Sequence, residues 1–559
     1  AASAPVAQLD RASGFEPEGR EFESLRARHQ FPGGDCLVKT FQGGVMGTVW
    51  LGDTALDAAE IERRGRQAAA GFEALGLVAG DGVAIYLRND FPFFEASIGA
   101  SSLGVYPVAV NWHYTPAEAE YLLADSGVKV LVIHADLLAP IRAVIPAGVT
   151  VLAVPVPPII RAAYGLTAAQ CEIPEDVLDW SVWRSGFSDA ARPPAPMPST
   201  IIYTSGTTGR PKGVRRPTAT AEQAGVTARM LAHSYGFTDY QGRGHEITTA
   251  IVGPIYHSAP NAHAQFCFRQ GANIDIMPRF DPEALLAAIE RRRITHLNMV
   301  PIMFNRLLKL PEAERGRYDL SSLRFVAHAA APVSPPIKRA MIEWWGPVIN
   351  EYYGSTEMGN VTFCTAEEWL SHPGTVGRPL PGAVVRVIDA DGNPLPAREV
   401  GEVIGRMQGS ADFTYQNDAE KRRRMEKQGL VTPGDIGYFD EDGFLYLCDR
   451  ANDMIISGGV NIYPAEIEAE LHKMPEIADC AVFGIPDEEF GEAICACIQP
   501  QPGVTLEESD VRVWLRQQVA GYKMPKVWNF VSELPREDSG KIFKRKLRAP
   551  YWENAGRNI

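Results

Sequence analysis

Apolar positions recur at helical spacing over residues 58–75, and from there short β-branched runs alternate with further helical stretches. Gly82-Val83-Ala84-Ile85-Tyr86-Leu87 predicts a strand, 93–103 a helix, 106–110 a strand and 128–134 another strand. Between the last two lies a helix over 115–125, where Thr115 and Glu118 stand at capping-box spacing. The alternation resumes with strands at 272–277 and 295–300 around a helix at 281–293. Helices alternating with short apolar strands imply mainly parallel sheets covered by helices. Two stretches stand apart. Residues 154–199 are rich in proline and predict an irregular surface excursion, and Ile251 to Ala259 predicts a strand running into a turn.

Beyond residue 450 the pattern changes. A strand at 454–459 ends in a double glycine, and Pro464 opens a helix over 465–473. Strands follow at 480–483 and 493–498, then a helix near 506–519. This is a small α+β unit of about a hundred residues at the end of an α/β chain, a size within the usual domain range.

Composition narrows the function classes. The chain has 559 residues, 45% hydrophobic and 22% charged, which suits a multi-domain globular protein. Its net charge of −14 argues against a nucleic-acid partner and means that an anionic substrate needs local basic patches. No apolar run reaches the length of a membrane span. The eight cysteines are scattered, and only Cys495 and Cys497 sit close, at strand spacing on one face. Nothing follows them at metal-ligand spacing, so buried reduced thiols in a cytoplasmic protein are expected.

Residues 1–45 lack the apolar core of a secretion signal and mix Asp, Arg and Glu. They resemble the peptide produced when a tRNA gene is translated. A disordered, dispensable extension before Met46 is expected.

Candidate chemistry concentrates in Thr204-Ser205-Gly206-Thr207-Thr208-Gly209-Arg210-Pro211-Lys212-Gly213, directly after the strand-like run Thr200-Ile201-Ile202-Tyr203. Backbone N–H groups freed by glycines, with Ser and Thr hydroxyls, suit a polyphosphate, and Lys212 adds a mobile charge. The loop is not a Walker-type P-loop, because Pro211 precedes Lys212 and Gly213 follows it. Further along come Glu351-Tyr352-Tyr353-Gly354-Ser355-Thr356-Glu357, Gly374-Thr375-Val376-Gly377-Arg378-Pro379, Thr432-Pro433-Gly434-Asp435 and Pro535-Arg536-Glu537-Asp538-Ser539-Gly540-Lys541-Ile542. Taken singly, each has a bland reading as a polar turn, a strand end, one of 68 acids or a solvated basic tail.

In this order the segments resemble the adenylate-forming superfamily, which includes acyl-CoA synthetases, peptide-synthetase adenylation domains and beetle luciferases. The resemblance runs from about Gly47 to Tyr551. The wording Asp453-Met454-Ile455-Ile456-Ser457-Gly458-Gly459 looks more like an acyl-CoA synthetase than a peptide-synthetase domain. It implies a large domain over 46–450, made of helix-covered sheets plus a β-subdomain, and a small mobile lid over 451–559. It also implies the reaction: a carboxylic acid, most simply a medium- or long-chain fatty acid, is activated to acyl-AMP and passed to CoA. Aromatic or steroid-side-chain acids, a carrier-protein acceptor and a non-catalytic acyl-nucleotide binder stay open.

The same resemblance implies residue roles. Thr204, Ser205, Gly206, Thr207, Thr208, Gly209 and Lys212 would grip ATP phosphates. Ala330, Ala331 and Pro332, with Tyr353 and Gly354, would hold adenine. Asp435 would take the ribose, Arg450 the ribose or a phosphate, and Thr356 the carboxylate or a phosphate. Glu357 would hold Mg2+, since that ion typically binds one or two carboxylates plus substrate phosphates. His257 would line the acyl pocket, whereas His263 has a structural reading. Lys541 would drive adenylation, with Lys544 and Lys546 as decoys. Asn452 would be the hinge. Gly458, Gly459 and Lys523, together with Lys526 and the Arg422-Arg423-Arg424 run, are CoA candidates; the arginine run reads equally as a solvated helix face. ATP, CoA and a small carboxylic acid are the expected partners, and a homodimer is a candidate assembly.

Overall fold

Parallel strands buried on both faces carry the large part of the chain, as the alternating pattern predicts. The computed structural model describes residues 47–193, 197–204, 211–450, 453–457, 460–487, 490–536 and 542–553, and the expectations for residues 1–45 fall outside them. One sheet runs in the order Thr414–Tyr415, Lys212–Arg215, Ile201–Thr204, Tyr106–Ala109, Gly82–Tyr86, Val130–His134, Thr150–Val154, Leu178–Asp179. Its strands run parallel except Lys212–Arg215, which is antiparallel to both its neighbours. Val83, Ile85, Val130 and Val132 are fully buried, which is why these strands read as continuous apolar runs.

A second sheet runs Thr54–Asp57, Thr48–Leu51, Asn273–Ile276, Thr248–Ile251, His296–Met299, Phe325–His328, Ile349–Ser355, Gly359–Cys364, Arg378–Pro379. From Thr48–Leu51 to Ile349–Ser355 it is parallel. The carboxyl ends of its central strands therefore open on one side, the usual place for a ligand crevice in such sheets. A smaller antiparallel sheet holds Ala383–Ile388, Gly401–Met407, Asp435–Phe439 and Leu445–Arg450. Its hairpin turns through Gly443 at φ 78°, a left-handed value that glycine adopts without cost.

The small unit has its own sheet of Val460–Ile462, Ile455–Ser457, Gly491–Pro500 and Ile477–Asp487, with Val527–Phe530 added in parallel. Helices Pro464–Leu471 and Glu508–Arg516 cover it around Ile467, Leu471, Val482, Ile498 and Leu515. Among the described residues no helix is long and apolar enough to cross a membrane.

Several expectations need correction. The stretch 154–199 is not simply irregular. It contains helices Pro158–Tyr164 and Trp180–Ser185, and its strand Leu178–Asp179 extends the first sheet. Trp180 is fully buried and its Nε1 donates to Glu95 at 2.9 Å, so this segment closes the core. After Ile251 the chain turns and then forms a helix, Ser258–Arg269, that the pattern did not predict. Its buried face includes Asn261 and His263, and those polar residues broke the apolar periodicity. The small-unit strands are longer than expected, and the basic tail includes a helix, Lys544–Trp552.

Arg422 is not a solvated residue either. It is buried, donates to Asp412 at 2.9 and 3.0 Å, and pairs with Glu426 at 2.9 Å. Cys495 and Cys497 are buried free thiols as expected, whereas Cys171 and Cys448 are only half-buried.

Candidate active site

The polyphosphate candidate sits on a hairpin. Ile201–Thr204 pairs antiparallel with Lys212–Arg215, with Thr204 opposite Lys212 and Tyr203 opposite Gly213. Ser205, Gly206, Thr207, Thr208 and Gly209 lie between these strands, outside the described residues. Gly213 has a packing reason: a Cβ there would lie 2.8 Å from the Tyr203 ring. Tyr203 is fixed in turn by donating its hydroxyl to Asp125 at 2.8 Å. Lys212 Nζ pairs with Asp418 at 3.1 Å, a half-exposed ion pair of little net strength that a polyphosphate can replace.

Strand Ile349–Ser355 brings Tyr353 and Gly354 to the crevice, and Thr356 and Glu357 follow at its end. The ladder shifts register between Tyr353 and Gly354, and a Cβ on Gly354 would lie 2.1 Å from Gly359 O. Glycine is therefore required by the fold there. The Tyr415 hydroxyl donates to Glu357 Oε1 at 2.8 Å. Burial first, and then the Glu357 carboxylate, push the Tyr415 hydroxyl well above its ordinary range. Lys421 Nζ stands 4.5 Å over the Tyr415 ring. A hard carboxylate beside the Lys212 hairpin fits Mg2+, which completes its shell with phosphate oxygens and water.

The Tyr353 hydroxyl donates to Asp435 Oδ2 at 2.6 Å. Asp435 is buried, opens strand Asp435–Phe439 and stands opposite Arg450 across the ladder. Pro433, an insertion relative to the resembled motif, is accommodated by a bend. The Thr432 hydroxyl donates to Glu402 at 2.5 Å and accepts from Gly434 N at 3.0 Å, and Gly434 adopts φ 81°.

Ala329, Ala330, Ala331 and Pro332 follow strand Phe325–His328 at the same crevice. Ala330 is exposed and adopts φ 74°, a region that costs an L-residue about 1 kcal/mol or more and marks functional turns. Behind this turn Lys338 is fully buried and its Nζ donates to Glu351 at 2.6 Å, with His328 3.4 Å from the same carboxylate oxygen. The Lys338 ammonium also lies 4.9 Å over the Trp369 ring. This pair ties helix Pro335–Trp345 to the strand that delivers Tyr353.

His257 caps the helix Ser258–Arg269 that the sequence concealed. Its Nε2 is buried with no hydrogen-bond partner among the described residues, and burial pushes its pKa down to about 4. It is a neutral imidazole with an unused polar edge. Asn89 holds the turn before it: its side chain donates to Gly253 O at 2.9 Å and Met277 O at 3.1 Å and accepts from Ile255 N at 2.9 Å. His263 is buried, 3.4 Å from the Thr249 hydroxyl, in keeping with its structural reading.

In the small unit, Gly458 and Gly459 lie outside the described residues, between paired strands Ile455–Ser457 and Val460–Ile462. Lys541, Asn452 and the side chain of Arg450 are also outside them. Arg536 and Ile542, on either side of the residues outside the description, form an antiparallel bridge. Lys544 pairs with Glu468 at 2.8 Å, Lys523 with Glu466 at 2.6 Å and Lys526 with Asp487 at 2.8 Å. Sequence reasoning missed Arg216, Tyr415, Asn89 and the Lys338–Glu351 pair. Arg216, Tyr415 and Asn89 reach residues 141, 58 and 164 positions away, whereas Lys338 and Glu351 lie 13 apart, and the local signal was the Arg215-Arg216 doublet after the loop.

Residues 44–411 match the model of the AMP-binding enzyme family, and 466–541 match the AMP-binding enzyme C-terminal domain. A fatty acid–acyl-carrier-protein ligase, ScoC, of Streptomyces coeruleorubidus is 30% identical over 513 residues, 89% of this chain and 92% of that one. A feruloyl-CoA synthase of an Amycolatopsis species is 32% identical over 508 residues, 89% of this chain and 94% of that one. The ATP-bound crystal structure of MatB from Rhodopseudomonas palustris superposes with a TM-score of 0.78 at 26% identity, covering 93% of this chain and 99% of that one. The chain belongs to the AMP-binding enzyme family, among the adenylate-forming acyl-CoA ligases.

Proposed function

We propose that this protein activates a medium- or long-chain fatty acid as its acyl-AMP and transfers the acyl group to CoA, working in the cytoplasm. The observation that carries the reading is the reach of one segment. Tyr353 meets Asp435 at 2.6 Å, and four residues later Glu357 meets Tyr415 at 2.8 Å beside the Lys212 hairpin. Side chains along one crevice whose chemistry suits a base, a ribose and a polyphosphate support the reading.

In the first half-reaction a carboxylate oxygen attacks the α-phosphorus and pyrophosphate leaves. Positioning and charge neutralisation supply most of the rate in such transfers. Thr204 through Gly209 and Lys212 would hold the β- and γ-phosphates. Ala330, Ala331, Pro332 and Tyr353 would frame adenine, and Asp435 with Arg450 the ribose. Thr356 and His257 would face the carboxylate, His257 as a neutral imidazole. Mg2+ on Glu357 would neutralise phosphate charge. Lys541 would bridge carboxylate and α-phosphate. In the second half-reaction the lid over 451–559 turns about Asn452, Gly458 and Gly459 line the thiol path, and Lys523 meets a CoA phosphate. The CoA thiolate attacks the acyl carbon and AMP leaves.

A second reading keeps the first half-reaction and passes the acyl group to a carrier-protein thiol; the similarity to ScoC favours it. The test is AMP release with MgATP across a panel of fatty, aromatic and steroid-side-chain acids, with and without CoA. Release that requires CoA and one fatty-acid class supports the proposal. Release with an aromatic or steroid acid moves the substrate. Pyrophosphate without CoA-stimulated AMP points to the carrier. ATP binding with silence across the panel points to an acyl-nucleotide binder.

A further inference from the structure

We propose that Arg216 is a positioning residue that locks the Thr356–Glu357 turn onto the polyphosphate hairpin, so that the hairpin and the metal-binding carboxylate respond to MgATP as one unit. This rests on the reading of Glu357 given above.

Arg216 directly follows strand Lys212–Arg215. Its Nη2 donates to Thr356 O at 2.9 Å and to Glu357 O at 2.8 Å, and its Nη1 donates to Ala411 O at 2.7 Å. One planar fork thus ties three chain segments, separated by up to 195 residues, through their main-chain carbonyls. Only arginine has donors enough in a fixed plane for this; an ammonium on a flexible stem cannot span the three acceptors. Its own carbonyl accepts from the Tyr106 hydroxyl at 3.1 Å, and its guanidinium lies 5.8 Å from the Phe413 ring. The hairpin end is held from both sides.

The charges around it sharpen the point. Two acids act on the Arg216 charge, Glu357 more strongly than Asp412; both oxygens of Asp412 are already taken by Arg422 at 2.9 and 3.0 Å, with Arg406 3.7 Å away. The Arg216 charge therefore bears on Glu357 twice, by hydrogen bonds to the Thr356 and Glu357 carbonyls and by attraction to the Glu357 carboxylate. Together with the Tyr415 hydroxyl on Glu357 Oε1, it fixes both the backbone and the side chain of Glu357. A purely structural arginine would contribute stability alone. A positioning arginine also couples metal to nucleotide.

The experiment is titration calorimetry on the full chain with ATP in EDTA and with MgATP, using wild type, Arg216→Lys and Arg216→Gln. The ratio of the two affinities isolates the metal-dependent part, because general loosening lowers both together. The expected result is a loss of about tenfold in MgATP affinity, the scale of a lost charged hydrogen bond, with ATP in EDTA changed by less than about threefold. An equal loss in both, or no change in either, overturns the inference. A wild type that binds no MgATP removes the functional reading itself. Amide exchange on the wild type provides an independent check that needs no variant to fold. MgATP should protect residues 211–217 and 355–359 together, and protection of the hairpin alone overturns the inference.

Discussion

Tyr353 Oη lies 2.6 Å from Asp435 Oδ2, a hydrogen bond between two candidate nucleotide contacts 82 residues apart. It joins the end of a large-sheet strand to the first residue of a strand in the small antiparallel sheet. Tyr353→Phe keeps the ring and removes the donor. A hydrogen bond to a charged group is worth about 1.5–3 kcal/mol, so KM for ATP should rise about tenfold or more with kcat less affected. Steady-state kinetics on ATP check this; an unchanged KM would show that the bond serves only the fold.

Lys541→Ala should remove adenylation and spare thioester formation. Loss of one electrostatic contact in a transition state costs about 10²-fold or more. Pyrophosphate release should fall by that amount, while supplied acyl-AMP still reacts with CoA. Gly459→Leu should do the reverse. Equal loss in both half-reactions would return the role to Lys544 or Lys546.

Burial lowers the pKa of His257, His263, His296, His328 and His472, and this sets a direction for acid sensitivity. His257 and His296 are pushed down to about 4 and His263 to about 3, from an ordinary value of 6.5. As pH falls below 6.5 the unfolded chain takes up these protons first. Their contribution to stability is therefore complete above that value and lost progressively from 6.5 towards about 4, and for His263 towards about 3. Each costs at most about 1.4 kcal/mol per pH unit in that window. Urea unfolding at pH 7.5, 6 and 5 should show falling midpoints, and His263→Asn should reduce the slope.

Lys338→Met should destabilise the protein by about 3–5 kcal/mol, because it leaves Glu351 buried without its cation. Lys338→Met with Glu351→Leu should recover most of that loss, since apolar replacement of a whole buried pair is often neutral. Denaturant unfolding of both variants decides the matter. Equal destabilisation by the double variant would mean that the charges also organise the packing around Trp369.

What the sequence by itself determined is local. A strand followed by a glycine- and hydroxyl-rich loop and Lys212 is legible because its chemistry is contiguous. The same holds for Tyr353 through Glu357 and for Asp435 after its turn. Parallel strands announced themselves because burial on both faces leaves an unbroken apolar run. The helix Ser258–Arg269 stayed hidden because buried polar residues, Asn261 and His263, satisfy partners that exist only in the folded chain. The tertiary structure alone decided that Arg216 reaches Glu357 across 141 residues and that Tyr415 reaches it across 58. Periodicity records which face of an element is buried, whereas the order of strands in a sheet decides which buried groups meet.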